Sequence, residues 1–162
     1  MTLLTAATLS QIQYGVLPWR RVEGALEFLL ITTRNTGRWI VPKGWPLPGR
    51  TPRECAAQEA LEEAGILGDV AAAPLGWFHY DKLRKSGEVV PCKVQVYPME
   101  VTRQRRSWVE KSARLTHWCS LEEALSRVAE PGLRQLILKF SRTRHAKRVG
   151  PARPPARAAT AR

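Results

Sequence analysis

Cysteine, acid and long apolar runs are all scarce in this chain. Its three cysteines, Cys55, Cys92 and Cys119, are odd in number and far apart. That spacing is neither a disulfide framework nor a zinc pattern, so it implies reduced thiols and a cytoplasmic setting. No apolar run approaches the ~20 residues of a membrane span, which excludes a spanning helix. The opening MTLLTAATLS has no basic start and no convincing cleavage site, so no secretory leader is expected. No segment repeats.

What remains is the composition of a globular protein: 162 residues, 44% apolar and 25% charged. Acid is outnumbered, with 14 Asp and Glu against 26 Lys and Arg, for a net charge of +12. The excess is uneven. Residues 139–162 hold eight basic side chains and no acid, which leaves +4 for residues 1–138. Residues 1–140 therefore read as one domain. Residues 141–162 read as a basic, Pro/Ala/Arg-rich tail, disordered from about 149. Such a tail can meet nucleic acid through charge alone, although charged termini are more often simply solvated.

Residues 12–18 and 25–33 read as strands around a loop holding Trp19, Arg20 and Arg21. Residues 38–42 form a short strand into a Gly/Pro-rich loop. Thr51 is a good N-cap, with Pro52 at the first helical position and Glu54 completing a capping box. That helix runs to about Ala64 and stops at Gly65. Residues 70–81 and 89–101 are long strand candidates around a polar turn, and 115–119 is another. Ser120 caps a further helix, and 131–142 is amphipathic, with Leu133, Leu136, Ile137 and Phe140 on one face. Strands and helices mixed in this order indicate a layered α/β protein.

The helix after Thr51 carries the chemistry. Positions three and four apart share a helical face, so Glu59 neighbours both Glu62 and Glu63. Such like charges repel by a few tenths of a kcal/mol per pair, roughly. Hard divalent cations take oxygen ligands, usually one or two carboxylates plus substrate phosphates. A carboxylate helix behind a tight loop suits that task. An acidic run alone more often marks a solvated face.

The surrounding pattern goes further. Gly44, Glu59, Ala60, Glu62, Glu63, Gly65 and Ile66 stand at the spacing of the Nudix box. That box reads Gly, five residues, Glu, seven residues, Arg-Glu-hydrophobic-any-Glu-Glu-any-Gly-hydrophobic. The segment resembles this signature of Nudix hydrolases with two departures: Arg50 replaces the loop Glu and Gln58 replaces the Arg. In the family those two opposite charges help orient a metal-binding Glu. The double change avoids a lone arginine, and Arg50 is free to reach Gln58, a carboxylate or substrate phosphate.

Upstream, ITTRNTGRWIVPKG is similar to the approach to the box in diphosphoinositol polyphosphate phosphohydrolases, through Thr32, Thr33, Arg34, Arg38, Trp39, Ile40, Val41 and Pro42. The resemblance gives Arg34 a contact to substrate phosphate, with Arg38, Arg50 and Arg20 as further substrate-binding candidates. Guanidinium groups suit phosphate because they donate two hydrogen bonds in one plane. Lys43 replaces a glycine of that group, and its main-chain carbonyl falls where the family often supplies a metal ligand. Glu110 lies in a loop that supplies another carboxylate in some members. The likeness covers residues 12–140 and implies the Nudix α/β/α sandwich with a mixed central sheet.

The implied function is hydrolysis of a phosphoanhydride bond in a nucleoside- or inositol-diphosphate type of substrate. Glu59, Glu63 and Glu62 would hold Mg²⁺ or Mn²⁺. Two alternatives stand beside it: a dinucleoside polyphosphate or capped-RNA pyrophosphohydrolase, and a catalytically weak ligand-binding module. The partner is a phosphorylated small molecule in the first reading, with no membrane involved and nucleic acid reachable only through the tail. The sequence carries no signal for oligomeric state.

Overall fold

The computed structural model describes residues 11–148. The expectations for a leader and for residues 149–162 lie outside these residues.

β1 (Gln11–Val22) turns directly into β2 (Ala25–Thr32). Glu23 and Gly24 both take positive φ, 49° and 82°, the combination a two-residue hairpin turn requires. Trp19 pairs with Phe28 and Arg20 with Glu27, so Trp19, Arg20 and Arg21 belong to the strand rather than to a loop. The single strand expected at 38–42 is instead two short pieces. β3 (Trp39–Ile40) pairs with β2 and β4 (Lys43–Gly44) pairs with β1.

α1 (Pro52–Ala64) starts and stops where its caps dictate. The Thr51 hydroxyl accepts from the Glu54 N–H at 3.2 Å, and the Glu54 carboxylate accepts from the Thr51 N–H at 3.0 Å. Gly65 ends the helix at φ 66°.

The expected strand at 70–81 is broken by residues 71–75 into β5 (Ile66–Val70) and β6 (Gly76–Leu83). β7 (Val89–Gln104) is longer than expected, and β8 (Thr116–Ser120) leads into α2 (Leu121–Arg127). α3 (Pro131–Arg148) continues through residues 141–148, which the composition alone assigns to the tail.

All eight strands join one mixed sheet, with the path β3-β2-β1-β7-β5; β4, β6 and β8 attach to β1, β7 and β2. β1 runs parallel to β7 and antiparallel to β2 and β4. It is buried without interruption from Gly15 to Trp19, the mark of a strand covered on both faces. Ala56, Ala60 and Ala64 let α1 lie close against the sheet. Phe140 of α3 packs on Trp19 and Phe28, with ring centroids 5.4 and 6.1 Å apart. Helices thus flank the sheet, and the architecture is α/β.

Candidate active site

Glu63 is the most enclosed of the three helix carboxylates, at 4% exposure. Both its oxygens are held. The Lys43 backbone N–H donates to Oε2 at 3.1 Å, and Arg114 Nη2 donates to Oε1 at 3.0 Å. Arg114 is itself buried; its Nη1 donates to the Thr32 carbonyl at 3.0 Å and its Nη2 lies 3.5 Å from Glu110 Oε1. Two segments therefore hold the carboxylate directly, and Arg114 links it to a third, at Thr32.

Glu59, one turn earlier, stands against Gly44. A Cβ on Gly44 would lie 2.1–2.6 Å from the Glu59 carboxylate atoms. Only a glycine allows the carboxylate to approach the β4 backbone this closely. Glu62 accepts from Gln58 Nε2 at 2.7 Å, and its carbonyl accepts from the Glu110 N–H at 3.0 Å. The loop after β7 is thereby tied to the end of α1, with Trp108 lying over Gly65.

The charges here are under tension. Burial pushes the Glu59 carboxyl up to about 8, and the neighbouring Glu63 and Glu62 add to the rise. Burial also raises Glu63, against the pull of Lys43 and Arg114, and lowers the Lys43 amine. Burial works against each charged form, while the opposite charges beside it, Glu63 for Lys43 and Lys43 with Arg114 for Glu63, work in its favour.

Next to the carboxylates lies a small cationic pocket. It is lined by Arg34, Arg38, Lys43, Tyr80, Lys82 and Arg114, and no acidic side chain joins them. Lys43 Nζ sits 4.7 Å above the Tyr80 ring centre, a cation–π contact. A shallower hollow continues outward past Trp45, Arg84 and Lys85. Lys82 rests 4.9 Å over the Trp45 ring. A separate groove beside the start of α1, lined by Arg53, Asp69 and Tyr97, includes none of Glu59, Glu62 and Glu63.

The sequence candidates divide accordingly. Glu59, Glu62, Glu63 and Lys43 come together. Arg34 reaches the pocket rim, with its guanidinium 3.4 Å from Glu110. Arg38 lines the pocket but is partly engaged elsewhere, 3.1 Å from the buried Glu130 and bonded to the Asp81 carbonyl. Arg50 is exposed, and its guanidinium has no partner among the described residues. Gln58 turns to Glu62, not to Arg50.

Arg20 is not brought to the pocket. Strand register places it opposite Glu27, which it meets at 2.7 Å, and it stacks 3.9 Å over Trp118. The sequence reading missed Arg114 as the partner of Glu63, and the side chains of Lys43, Tyr80 and Lys82 as pocket walls. A lone loop arginine leaves no periodic trace, and the alternation of Phe78, Tyr80 and Lys82 along β6 is the one signal that could have found two of them.

The family model described as "NUDIX domain" matches residues 11–140. Nudix hydrolase 12, mitochondrial, of Arabidopsis thaliana is 28% identical over 72% of this chain and 59% of its own length. The chain thus spans under two thirds of that relative. Diphosphoinositol polyphosphate phosphohydrolase 3-beta of Homo sapiens is 32% identical over 65% of this chain and 62% of its own. Among solved structures, a C. elegans Ap4A hydrolase binary complex superposes with a TM-score of 0.64 at 23% identity, covering 84% of this chain and 98% of that one. That likeness concerns the fold alone. With the family's model lying over nearly every described element, the chain belongs to the Nudix hydrolase family.

Proposed function

We propose that the protein hydrolyses a phosphoanhydride bond in a substrate bearing an extended phosphate chain, with the help of a divalent metal. The observation that carries this reading is the junction of two opposite fields. A carboxylate cluster on α1 abuts a pocket walled by five cations and no acid.

The carboxylates fit a hard cation. They offer only oxygen donors, and the upward push on Glu59 from its like-charged neighbours is the repulsion a cation would relieve. Glu59, Glu62 and Glu63 would hold Mg²⁺ or Mn²⁺, which supplies charge neutralisation on phosphate and a lowered pKa for an attacking water. The chain's own residues do the rest. Lys43 and Arg114 present buried cations to phosphate oxygens, where low dielectric strengthens each contact. Lys82 and Arg34 extend the positive surface outward. Donors fixed in advance stabilise charge that develops as the bond breaks.

The outer basic hollow favours a substrate with anionic groups beyond the cleaved diphosphate, as in a diphosphoinositol phosphate. The Trp45 ring at the same rim supports a second reading, a dinucleoside polyphosphate whose base stacks there. One screen separates them: Mg²⁺-dependent phosphate release across diphosphoinositol phosphates, dinucleoside polyphosphates, nucleotide sugars and capped RNA. Turnover of a polyphosphorylated compound, lost without divalent metal, is the expected result. Ligand binding without turnover of any compound would support a binding module instead.

A further inference from the structure

A second cluster of metal-ligating side chains lies outside the carboxylate site and shares no residue with it. His117 Nε2, Cys119 Sγ and a Glu123 carboxylate oxygen all lie within 4.8 Å of one another, the one such trio among the described residues. The fold builds it from short-range rules. His117 and Cys119 are two apart on β8, so they share a face of the strand. Ser120 then caps α2 by accepting from the Glu123 N–H at 3.2 Å, and that turn brings Glu123 back over the strand end.

We propose that His117, Cys119 and Glu123 form a zinc-class metal site, with the fourth position open to water. The donor set argues the metal class. One sulfur, one imidazole nitrogen and one carboxylate oxygen suit Zn²⁺ and its relatives, whereas the oxygen-only cluster on α1 suits Mg²⁺. Tetrahedral zinc spaces its ligands by about 3.3–3.6 Å, from bonds of roughly 2.0–2.3 Å. His117 Nε2 and Glu123 Oε2 are 2.9 Å apart and no two of the three donor atoms are more than 4.8 Å apart, so ligation requires side-chain rotations that bring all three separations to this spacing.

Charge closes as well: thiolate and carboxylate together balance a dication. Binding replaces the thiol S–H bond with an S–metal bond and releases that proton to solvent. Cys119 anchors the site from the core, while the half-exposed His117 and Glu123 open it to solvent. Trp39 steadies the imidazole, with ring centroids 6.3 Å apart. Arg127 is the competitor, 3.5 Å from Glu123 Oε2, and must swing toward the Trp39 face it already stacks on.

The probe is Co²⁺ added to the full-length protein under a phosphine reductant. The wild type should show a near-ultraviolet thiolate-to-cobalt band and tetrahedral visible bands, saturating at one equivalent. Zn²⁺ should displace them. Cys119→Ser and His117→Gln should both lose the thiolate band; His117 is half-exposed, so its variant tests the site even where the buried Cys119 change disturbs folding. Glu63→Gln should keep the band, because the α1 cluster has no sulfur. Absence of the band in wild type, or its persistence in His117→Gln, would overturn the proposal. Neither result touches the phosphoanhydride reading.

Discussion

Glu63 is the residue on which the site turns, and its setting changes what its removal should do. Helical spacing alone shows it only as one of three acids on a shared face. In the structure it is buried and ion-paired with Arg114 at 3.0 Å. Glu63→Gln should lower turnover about 10²-fold or more, as loss of a preorganised charged group does. It should also destabilise. Breaking a buried pair costs about 3–5 kcal/mol when the partner is stranded. Arg114 keeps Thr32 and Glu110, so about 1–3 kcal/mol is expected, read as a lower Tm. An unchanged Tm would show that the pair contributes nothing.

Glu59 gives a pH test at the same scale. Unfolded, it releases its proton near the ordinary 4.5; folded and metal-free, at about 8. Between those values the native state holds the extra proton, so its contribution to stability falls as pH rises from about 5 to 8. The metal-free Tm of wild type should therefore decline across that window relative to Glu59→Gln. Mg²⁺ affinity should rise over the same range, since the ion takes the ionised carboxylate. Parallel curves for the two proteins would remove Glu59 from the titration.

At the scale of elements, the box helix was fully legible because its ends are written in local chemistry. Thr51, Pro52, Glu54 and Gly65 act within one turn of themselves. Thr51→Ala should accordingly cost about 1 kcal/mol, measured by denaturant unfolding. The acidic side of that helix was legible for the same reason, through spacing alone. The strand errors arose where partners are distant. Residues 71–75, AAAPL, continue the apolar pattern of β5, and only pairing of both β5 and β6 with β7 shows that they form a break. Arg114 was hidden in the same way, since its partner lies 51 positions away.

Gly44 links element to site. Gly44→Ala would drive a methyl into the Glu59 carboxylate, at 2.1–2.6 Å from its atoms. Glu59 can rotate away, so the fold should survive. The Mg²⁺ concentration for half-maximal activity should then rise about tenfold, the low end of what a disturbed ligand shell costs. Wild-type metal dependence in the folded variant would mean that Glu59 does not need this close approach.

Across the whole molecule the ruling quantity is a charge of +12. Residues 149–162 contribute Arg153, Arg157 and Arg162, so their removal leaves +9. The pocket cations all lie before residue 115, and the tail segment offers no apolar side chain larger than Val149. Truncation at 148 should therefore leave Tm and kcat/KM for a small phosphorylated substrate unchanged. Polyanion binding is the sensitive readout. For single-stranded RNA, each phosphate neutralised contributes about 0.7 to the slope of log affinity against log salt. Loss of three arginines should flatten that slope by about 2 if all three contact the strand. Equal slopes for both proteins would confine RNA contacts to the folded domain. A fall in kcat/KM for the small substrate on truncation would instead show that the tail serves the catalytic pocket, against the composition that sets it apart.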